Sequence, residues 1–148
     1  MKINININEE YKEMEVTVNC SRIDTALEKV IASLRVLDSR LTGIKDSQTF
    51  ILEAAKVLYI DTVDKKTFLY TSEDIYETPL KLYELEDLLS GSDFFRAGKS
   101  SIINFSRIKS LQSDIDGKLI VTMENKEKLI VSRQYAVILK EKLRRYEQ

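Results

Sequence analysis

The first 46 residues combine two kinds of hydrophobic spacing. Apolar and polar residues alternate at 2–8 ("KINININ") and again at 14–20 ("MEVTVNC"), and a period of two predicts β-strands. From Ser21 onward the apolar spacing is four and three, which predicts an amphipathic helix with Ser21 at its N-cap and Gly43 at its end. The apolar stripe of this helix is Ile23, Leu27, Val30, Leu34, Leu37 and Leu41. Residues 1–46 are therefore predicted to form a small β-β-α module.

The apolar stripe of this helix has two interpretations. It spans fewer than three heptads, which is short for a free coiled coil. The stripe either packs on the two predicted strands or forms the seam of a dimer, and the pattern leaves both open.

From Thr49 on, β-branched and aromatic residues dominate and no long helical period appears. Short extended segments joined by tight turns predict an antiparallel sheet. These segments are "TFILEAA", "VLYIDTV", "TFLYTSEDIYET", "FFRA", "SSIINF", "IKSLQSDI", "KLIVTME" and "KLIV". Asp116-Gly117 and Asn125-Lys126 are predicted turns between the last of them.

Two helices are predicted among these strands. Thr78 and Pro79 resemble a cap followed by a first helical residue, and the helix continues to Gly91. Its apolar stripe is Leu82, Leu85, Leu88 and Leu89. A closing helix starts after Ser132 and carries the apolar stripe Tyr135, Ile138, Leu139 and Leu143. Residues 47–148 are thus predicted to form a mainly β domain with short helices, of the α+β class.

Composition narrows the functions that this fold can have. The chain has 148 residues, of which 43% are hydrophobic, one cysteine and no histidine. Without histidine, neither a triad-type catalytic site nor the usual zinc cluster is expected. No apolar run approaches the roughly 20 residues that cross a bilayer, so we expect a cytoplasmic protein without a transmembrane segment. We expect no cofactor and no enzymatic activity.

Charge is unevenly distributed along the chain. Residues 1–93 contain 11 Lys/Arg and 18 Asp/Glu, whereas residues 94–148 contain 12 Lys/Arg and 6 Asp/Glu. The net charge of -1 therefore combines an acidic N-terminal part with a basic C-terminal part. A basic part of this kind favours a nucleic-acid partner, although it also fits complementary internal surfaces.

Gly98-Lys99-Ser100 resembles the end of a nucleotide-binding loop. In a Walker A loop, four residues separate the first glycine from Gly-Lys-Ser, and the loop joins a strand to a helix. Here the position that should be glycine is Asp93, and the residues that follow Ser100 are β-branched. Both features argue against nucleoside triphosphate binding.

The C-terminal part resembles the LytTR DNA-binding domain family. The family signature runs aromatic-x-R-x-x-[RK]-S-x-[IV]-[IV]-N-x-x-x-I, then a hairpin, then [IV]-S-R-x-[YV] before a closing helix. The residues that fit its first block are Phe95, Arg96, Lys99, Ser100, Ile102, Ile103, Asn104 and Ile108. Those that fit its last block are Val131, Ser132, Arg133 and Tyr135. The resemblance covers residues 47 to about 146 and excludes the predicted N-terminal module.

This resemblance implies an elongated fold of antiparallel β-sheets whose loops, instead of a recognition helix, reach successive grooves of double-stranded DNA. The implied contacts lie in the loop of Lys99 and Ser100 and at Ser132, Arg133 and Gln134. The turn at Asp64, Lys65 and Lys66 is a looser third match, and Arg96 is a further candidate contact. The chemistry fits, because arginine pairs with guanine edges and lysine and serine suit phosphates.

Two signature residues also have structural interpretations. Asn104 suits a turn or cap within the fold better than a DNA contact, and Arg96 can pair with an internal carboxylate. Gly98-Lys99 stands where the family often has histidine or arginine, which leaves the base preference open.

The resemblance also bears on partners. Many family members carry a phosphoreceiver domain upstream, and the segment before residue 47 is too short for one. We therefore expect the short type of LytTR regulator, controlled by abundance, a regulatory protein partner or its N-terminal module. A homodimer on repeated half-sites is the expected assembly. The alternative function is a protein-interaction module with weak or no DNA binding.

Overall fold

The computed structural model describes residues 1–146, which form three α-helices and ten strands. The helices are α1 (Thr25–Asp38), α2 (Leu82–Leu88) and α3 (Arg133–Tyr146). The strands are β1 (Arg40–Lys45), β2 (Gln48–Glu53), β3 (Tyr59–Val63), β4 (Lys66–Tyr70), β5 (Ile75–Thr78), β6 (Phe94–Arg96), β7 (Ser101–Asn104), β8 (Ile108–Ser113), β9 (Leu119–Met123) and β10 (Lys128–Val131). All strand pairs are antiparallel, so the predicted mainly β, α+β class is confirmed.

The two strands predicted at 2–8 and 14–20 are wrong. Residues 1–24 contain neither helix nor strand, and Ile3 and Ile7 are 77% and 92% exposed. A strand needs a neighbour to accept and donate its backbone hydrogen bonds, and no strand of the fold pairs with these segments. The structure therefore replaces the predicted β-β-α module by a segment without regular secondary structure that leads into a helix.

Helix α1 starts later and ends earlier than its spacing predicts. The N-cap is Asp24 instead of Ser21, since its Oδ1 accepts a hydrogen bond from the Leu27 N–H at 2.9 Å. The helix ends at Asp38, and Gly43 lies inside β1. A Cβ at Gly43 would lie 2.6 Å from the Cβ of Tyr76, so this glycine serves close packing between strands instead of a helix end.

Seven strands form the larger sheet, in the order β2-β1-β5-β4-β3-β7-β6. Its β1–β2 hairpin turns at Asp46 and Ser47, both with positive φ, and thus crosses the predicted boundary at residue 46. Strand β1 joins the rest of the sheet through Ile44 opposite Glu77. The strand on the N-terminal side of that boundary therefore shares the sheet of the main domain.

Each face of this sheet has its own core. On one face, Ile60 and Ile102 pack with α2, whose Leu82 and Leu85 are buried together with Leu89, the residue that ends the helix. Leu88, predicted to share that stripe, is 53% exposed. Helix α2 begins after Lys81 instead of at Pro79, because Thr78 Oγ1 accepts from the Leu80 N–H in a turn that precedes the helix.

The other face carries a three-stranded sheet, in the order β10-β9-β8, and helix α3. Tyr59 and Ile103 face this second core, in which Leu139 of α3 is fully buried. Ile138, predicted for the buried stripe of α3, is 47% exposed, and Ala136 is buried in its place. Strands β3 and β7 are therefore covered on both faces and position the loops at their ends.

Candidate nucleic-acid interface

The Lys99 loop connects two neighbouring strands. It follows β6 and precedes β7, and it is closed by a hydrogen bond of 3.0 Å from the Ala97 N–H to the Ser101 carbonyl. No helix follows it, which agrees with the argument against a Walker A loop. Lys99 and Ser100 are both exposed.

The turn between β3 and β4 lies beside this loop. The Thr62 N–H donates to the Ser100 carbonyl at 2.8 Å, and the tip of the hairpin follows directly. Asp64 and Lys65 both have positive φ there, at 51° and 67°, which makes the turn tight and places it at the ends of two inner strands of the sheet. Lys65 and Lys66 thus lie at the same end of the domain as Lys99.

The junction between β10 and α3 joins the same end. The Ser132 N–H donates to the Ala97 carbonyl at 3.1 Å, which ties the small sheet to the Lys99 loop. Arg133 and Gln134 follow as the first two residues of α3 and are exposed. All three segments that the sequence singled out are therefore neighbours.

One basic residue at this end was missed. Lys118 immediately precedes Leu119, whose register partner is Val131, so it stands next to Ser132 and is exposed. Its place in the sequence, after an Asp-Gly turn, does not predict that it lies next to Ser132. We call residues 64–66, 98–100, 118 and 132–134 together the loop end.

Arg133 lies over the predicted Asp116-Gly117 turn, which the structure confirms. Gly117 has a φ of 77°, and a Cβ there would lie 3.0 Å from Cγ and 3.1 Å from Cδ of Arg133. The glycine thus provides the surface on which the stem of Arg133 rests. Sequence reasoning identified this turn without its role under the arginine.

The loop end is basic and open. Among the side chains that the structure describes, Lys65, Lys99, Lys118 and Arg133 form no ion pair, and Lys66 lies 4.0 Å from Glu77. Asp64 and Asp116 are the acidic residues closest to these cations in the chain. Exposed cations without an acidic partner can neutralise the phosphates of a polyanion and so release the counterions bound to it.

The start of α3 adds backbone donors to this surface. The first intrahelical bonds go from Tyr135 and Ala136 to the Ser132 carbonyl, so in the described part of the chain the N–H groups of Arg133 and Gln134 have no acceptor. Together with the positive end of the helix dipole, such amides favour an anion.

Arg96 belongs to the same end but faces inward. Its side chain is 22% exposed and lies 3.3 Å from Glu86 of α2. Its Nε also donates to the Gly98 carbonyl at 2.6 Å. The internal carboxylate pairing that the sequence left open for Arg96 is thus present.

The opposite end of the domain contains polar residues with structural roles. Asn104 is buried, donates to the Val57 carbonyl at 3.0 Å and accepts from Ser106, which confirms the predicted cap. Arg107 donates to the Ala55 carbonyl at 3.1 Å and pairs with Glu124. We call Ala55, Asn104, Arg107 and Glu124 the far end.

Acid–base chemistry has little support in this fold. Asp61 accepts from the Tyr70 hydroxyl at 3.2 Å, and its other oxygen is buried without a partner. Burial raises the pKa of Asp61, and the bond from Tyr70 opposes that shift. The carboxyl thus pairs with a phenol, not with a second carboxyl, and no group of three or more candidate metal ligands occurs within residues 1–146.

No helix within residues 1–146 has the length and hydrophobicity needed to cross a membrane.

Comparison with known proteins identifies the domain. The profile of the family described as "LytTr DNA-binding domain" matches residues 47–144. A solved LytTr DNA-binding domain, from a Bacillus cereus protein described as a methyl-accepting/DNA response regulator, superposes with a TM-score of 0.67. It is 30% identical and covers 71% of this chain and 96% of its own.

Relatives that align along almost their whole length occur in Staphylococcus aureus. Proteins of strains MSSA476 and MRSA252, both named uncharacterized HTH-type transcriptional regulators, are 27% and 26% identical over 145 residues. These alignments cover 97% of this chain and 98% of each relative, so they include the segment before the family match. Within residues 1–146, at least one strand lies between each helix and the next. This part of the chain therefore contains no helix-turn-helix of the kind that the relatives' names indicate.

Proposed function

The chain belongs to the LytTR DNA-binding domain family, and on this premise we propose that it is a transcription regulator that reads double-stranded DNA with its loop end. The family and the names of the Staphylococcus aureus relatives support a DNA-binding regulator. They give no support to an enzymatic activity.

Two backbone hydrogen bonds carry this proposal. The bonds from Ser132 to Ala97 and from Thr62 to Ser100 bring together three basic segments that are distant in sequence. The cations on them are exposed and, apart from Lys66, have no acidic partner among the described side chains. A duplex presents both phosphates and base edges, so neighbouring segments can contact its backbone and its grooves together.

Each residue of the loop end has a chemical role in this proposal. Arg133 is the base reader, because its fork can bond O6 and N7 of guanine. Lys65, Lys66, Lys99 and Lys118 supply point charges to phosphates. Ser100, Ser132 and Gln134 are polar donors suited to phosphate or base edges.

Selection of bound sequences from random duplex DNA is the direct test. We expect a defined motif, and we expect the affinity for it to fall with salt on a log-log slope of about -0.9 for each phosphate neutralised. Lys128→Ala is the control, since Lys128 is exposed but lies at the other end of β10 from Ser132. A pool without enrichment would contradict the proposal and favour the alternative, a protein-interaction module.

We further propose that the protein is a homodimer and that residues 1–24 contribute to the interface. Ile3, Ile5, Ile7 and Val16 are all more than half exposed, and large exposed apolar surface marks interaction sites. Two copies would place two loop ends on repeated half-sites. A regulatory protein is the competing partner for the same segment.

Light scattering of the chain lacking residues 1–24 tests this assembly. The deletion removes the Asp24 N-cap but keeps every residue of α1 and the whole sheet, whereas a cut at residue 46 would remove β1. We expect a dimer mass for the full chain and a monomer mass after deletion. A monomeric full chain would exclude the dimer and leave the segment to a protein partner.

A further inference from the structure

We infer that Arg96 is a positioning residue: it fixes the backbone of Lys99 from inside the domain instead of contacting DNA. This inference rests on the proposed function, since Lys99 is one of the proposed phosphate contacts. Arg96 is therefore removed from the proposed DNA-contacting set.

Three nitrogens of the Arg96 guanidinium have partners within the domain. Nε donates to the Gly98 carbonyl at 2.6 Å and Nη2 donates to the Lys99 carbonyl at 2.5 Å. Nη1 lies 3.3 Å from Glu86 Oε1. The side chain is 22% exposed and its three nitrogens are bonded within the domain, while Lys99 is exposed.

The two carbonyl contacts fix the conformation of Lys99. The Gly98 carbonyl belongs to the peptide plane before the Lys99 Cα, and the Lys99 carbonyl belongs to the plane after it. Because peptide planes are rigid, holding both of them sets φ and ψ of Lys99. The direction in which its side chain leaves the backbone is then set as well.

Glu86 anchors the arginine to the body of the domain. It lies on α2, whose Leu82 and Leu85 are buried in the first core. The carboxylate that pairs with the guanidinium is therefore part of a firmly packed helix. Only a planar fork can serve two carbonyls and a carboxylate in this geometry. A lysine would keep the charge and lose at least part of the arrangement.

Arg107 offers a matched control at the far end. It uses the same combination of a backbone carbonyl and a glutamate, Ala55 and Glu124, but holds no loop of the proposed DNA surface. Arg107→Lys thus removes the same kind of arginine contact at a place distant from Lys99. Asp87→Asn is the control for Glu86→Gln, since Asp87 is an exposed neighbour on α2 without an ion pair among the described side chains.

The first experiment is a double-mutant cycle on the selected DNA. We expect Arg96→Lys to weaken binding about threefold and no more than Lys99→Ala does, the effect of losing one hydrogen bond, and Arg107→Lys to leave it unchanged. Added to Lys99→Ala, Arg96→Lys should cost nothing further, because its effect passes through Lys99. Additive losses would show an independent DNA contact and overturn the inference. Glu86→Gln should weaken binding less than Arg96→Lys does, and Asp87→Asn should leave it unchanged.

The second experiment needs no DNA. We expect NMR order parameters of the N–H groups of Gly98, Lys99 and Ser100 to be near 0.85 in the parent and to fall toward about 0.6 in Arg96→Lys. Thermal unfolding monitors the fold of both proteins. Unchanged order parameters in a folded variant would overturn the inference even if DNA binding is found. Loosening in a protein that binds no DNA would sustain the positioning role and reject the proposed function.

Discussion

The two ends of the domain use basic residues in opposite ways. At the far end, Arg107 bonds a backbone carbonyl and Glu124, and its charge serves the contact between sheets. At the loop end, Lys65, Lys99, Lys118 and Arg133 have no acidic partner among the described side chains. The difference teaches that a count of basic residues in the C-terminal part cannot locate the surface for DNA. The pairing of each cation decides whether it is available to a phosphate.

The largest expected effect is at the far end and concerns stability. Asn104→Ala leaves the buried Val57 carbonyl and the Ser106 N–H without their partner, which should cost about 3 kcal/mol of unfolding free energy. Urea denaturation measures it. DNA affinity should fall only in proportion to the folded fraction. Loss of binding by a fully folded variant would break the distinction between the two ends.

The next effect is at the loop end and concerns binding. Arg133→Ala should weaken binding of the selected sequence by about 2 kcal/mol if Arg133 reads a base, with little change in stability, because the side chain is exposed. Fluorescence anisotropy against matched and scrambled duplexes measures the loss. Arg144→Ala is the control, since Arg144 is a 74% exposed arginine at the end of the same helix. Equal losses for both variants would contradict the role of Arg133.

A third prediction concerns the surface under Arg133. Gly117→Ala should cost about 1 kcal/mol of stability, because its φ of 77° strains any L-residue. The new methyl group should also displace the Arg133 stem and reduce specificity. Gly98→Ala is the comparison for stability, as a Cβ there meets only Ser101 Oγ, at 3.4 Å. If Gly117→Ala bound with full specificity, the support of Arg133 by this turn would be disproved.

A smaller effect is expected for a single phosphate contact. Lys99→Ala should weaken binding to all duplexes alike and reduce the salt slope by about 1. Titration at several salt concentrations on two unrelated sequences measures both quantities. A loss confined to the selected sequence would instead make Lys99 a base reader.

The smallest effect lies in the strand that runs between the two ends. Burial raises the folded-state pKa of Asp61 above 3.8, so folding favours the protonated carboxyl. Its contribution to stability is present below the unfolded pKa and is lost as pH rises through the raised folded pKa. Asp61→Asn should therefore gain stability over the parent at neutral pH and little below pH 3.8. Urea titrations at both pH values test this, and a gain that does not depend on pH would refute the ionisation argument.

Much of the fold could be predicted from the sequence, because the β-rich domain is dense in local signals. The segments from Thr49 onward, predicted from β-branched and aromatic residues, and the Asp116-Gly117 turn occur where predicted, except that "TFLYTSEDIYET" divides into β4 and β5. The period of two at 2–8 and 14–20 failed, since alternation describes which face a strand would bury and does not supply a partner strand. The prediction that Gly43 ends the first helix was wrong for a related reason, because this glycine packs against Tyr76 of a strand distant in sequence.

The candidate site shows the same division. The residues Lys99, Ser132 and Arg133 follow from the family signature, and so does the structural place of Asn104. Lys118 and the inward orientation of Arg96 do not, because they depend on register and on the position of α2. A linear sequence motif specifies neither the strand register nor the position of α2.

The sequence by itself determined the family, the antiparallel β-rich class and the identity of the basic loop residues, because periodicity, turn residues and the two signature blocks are local properties. Only the tertiary structure decided which cations are neighbours and which are paired. Those properties depend on long-range contacts, such as the bonds from Ser132 to Ala97 and from Thr62 to Ser100, which join segments far apart in the chain. It also decided that residues 1–24 pair with no strand of the fold, since a strand exists only where a neighbour completes its hydrogen bonds.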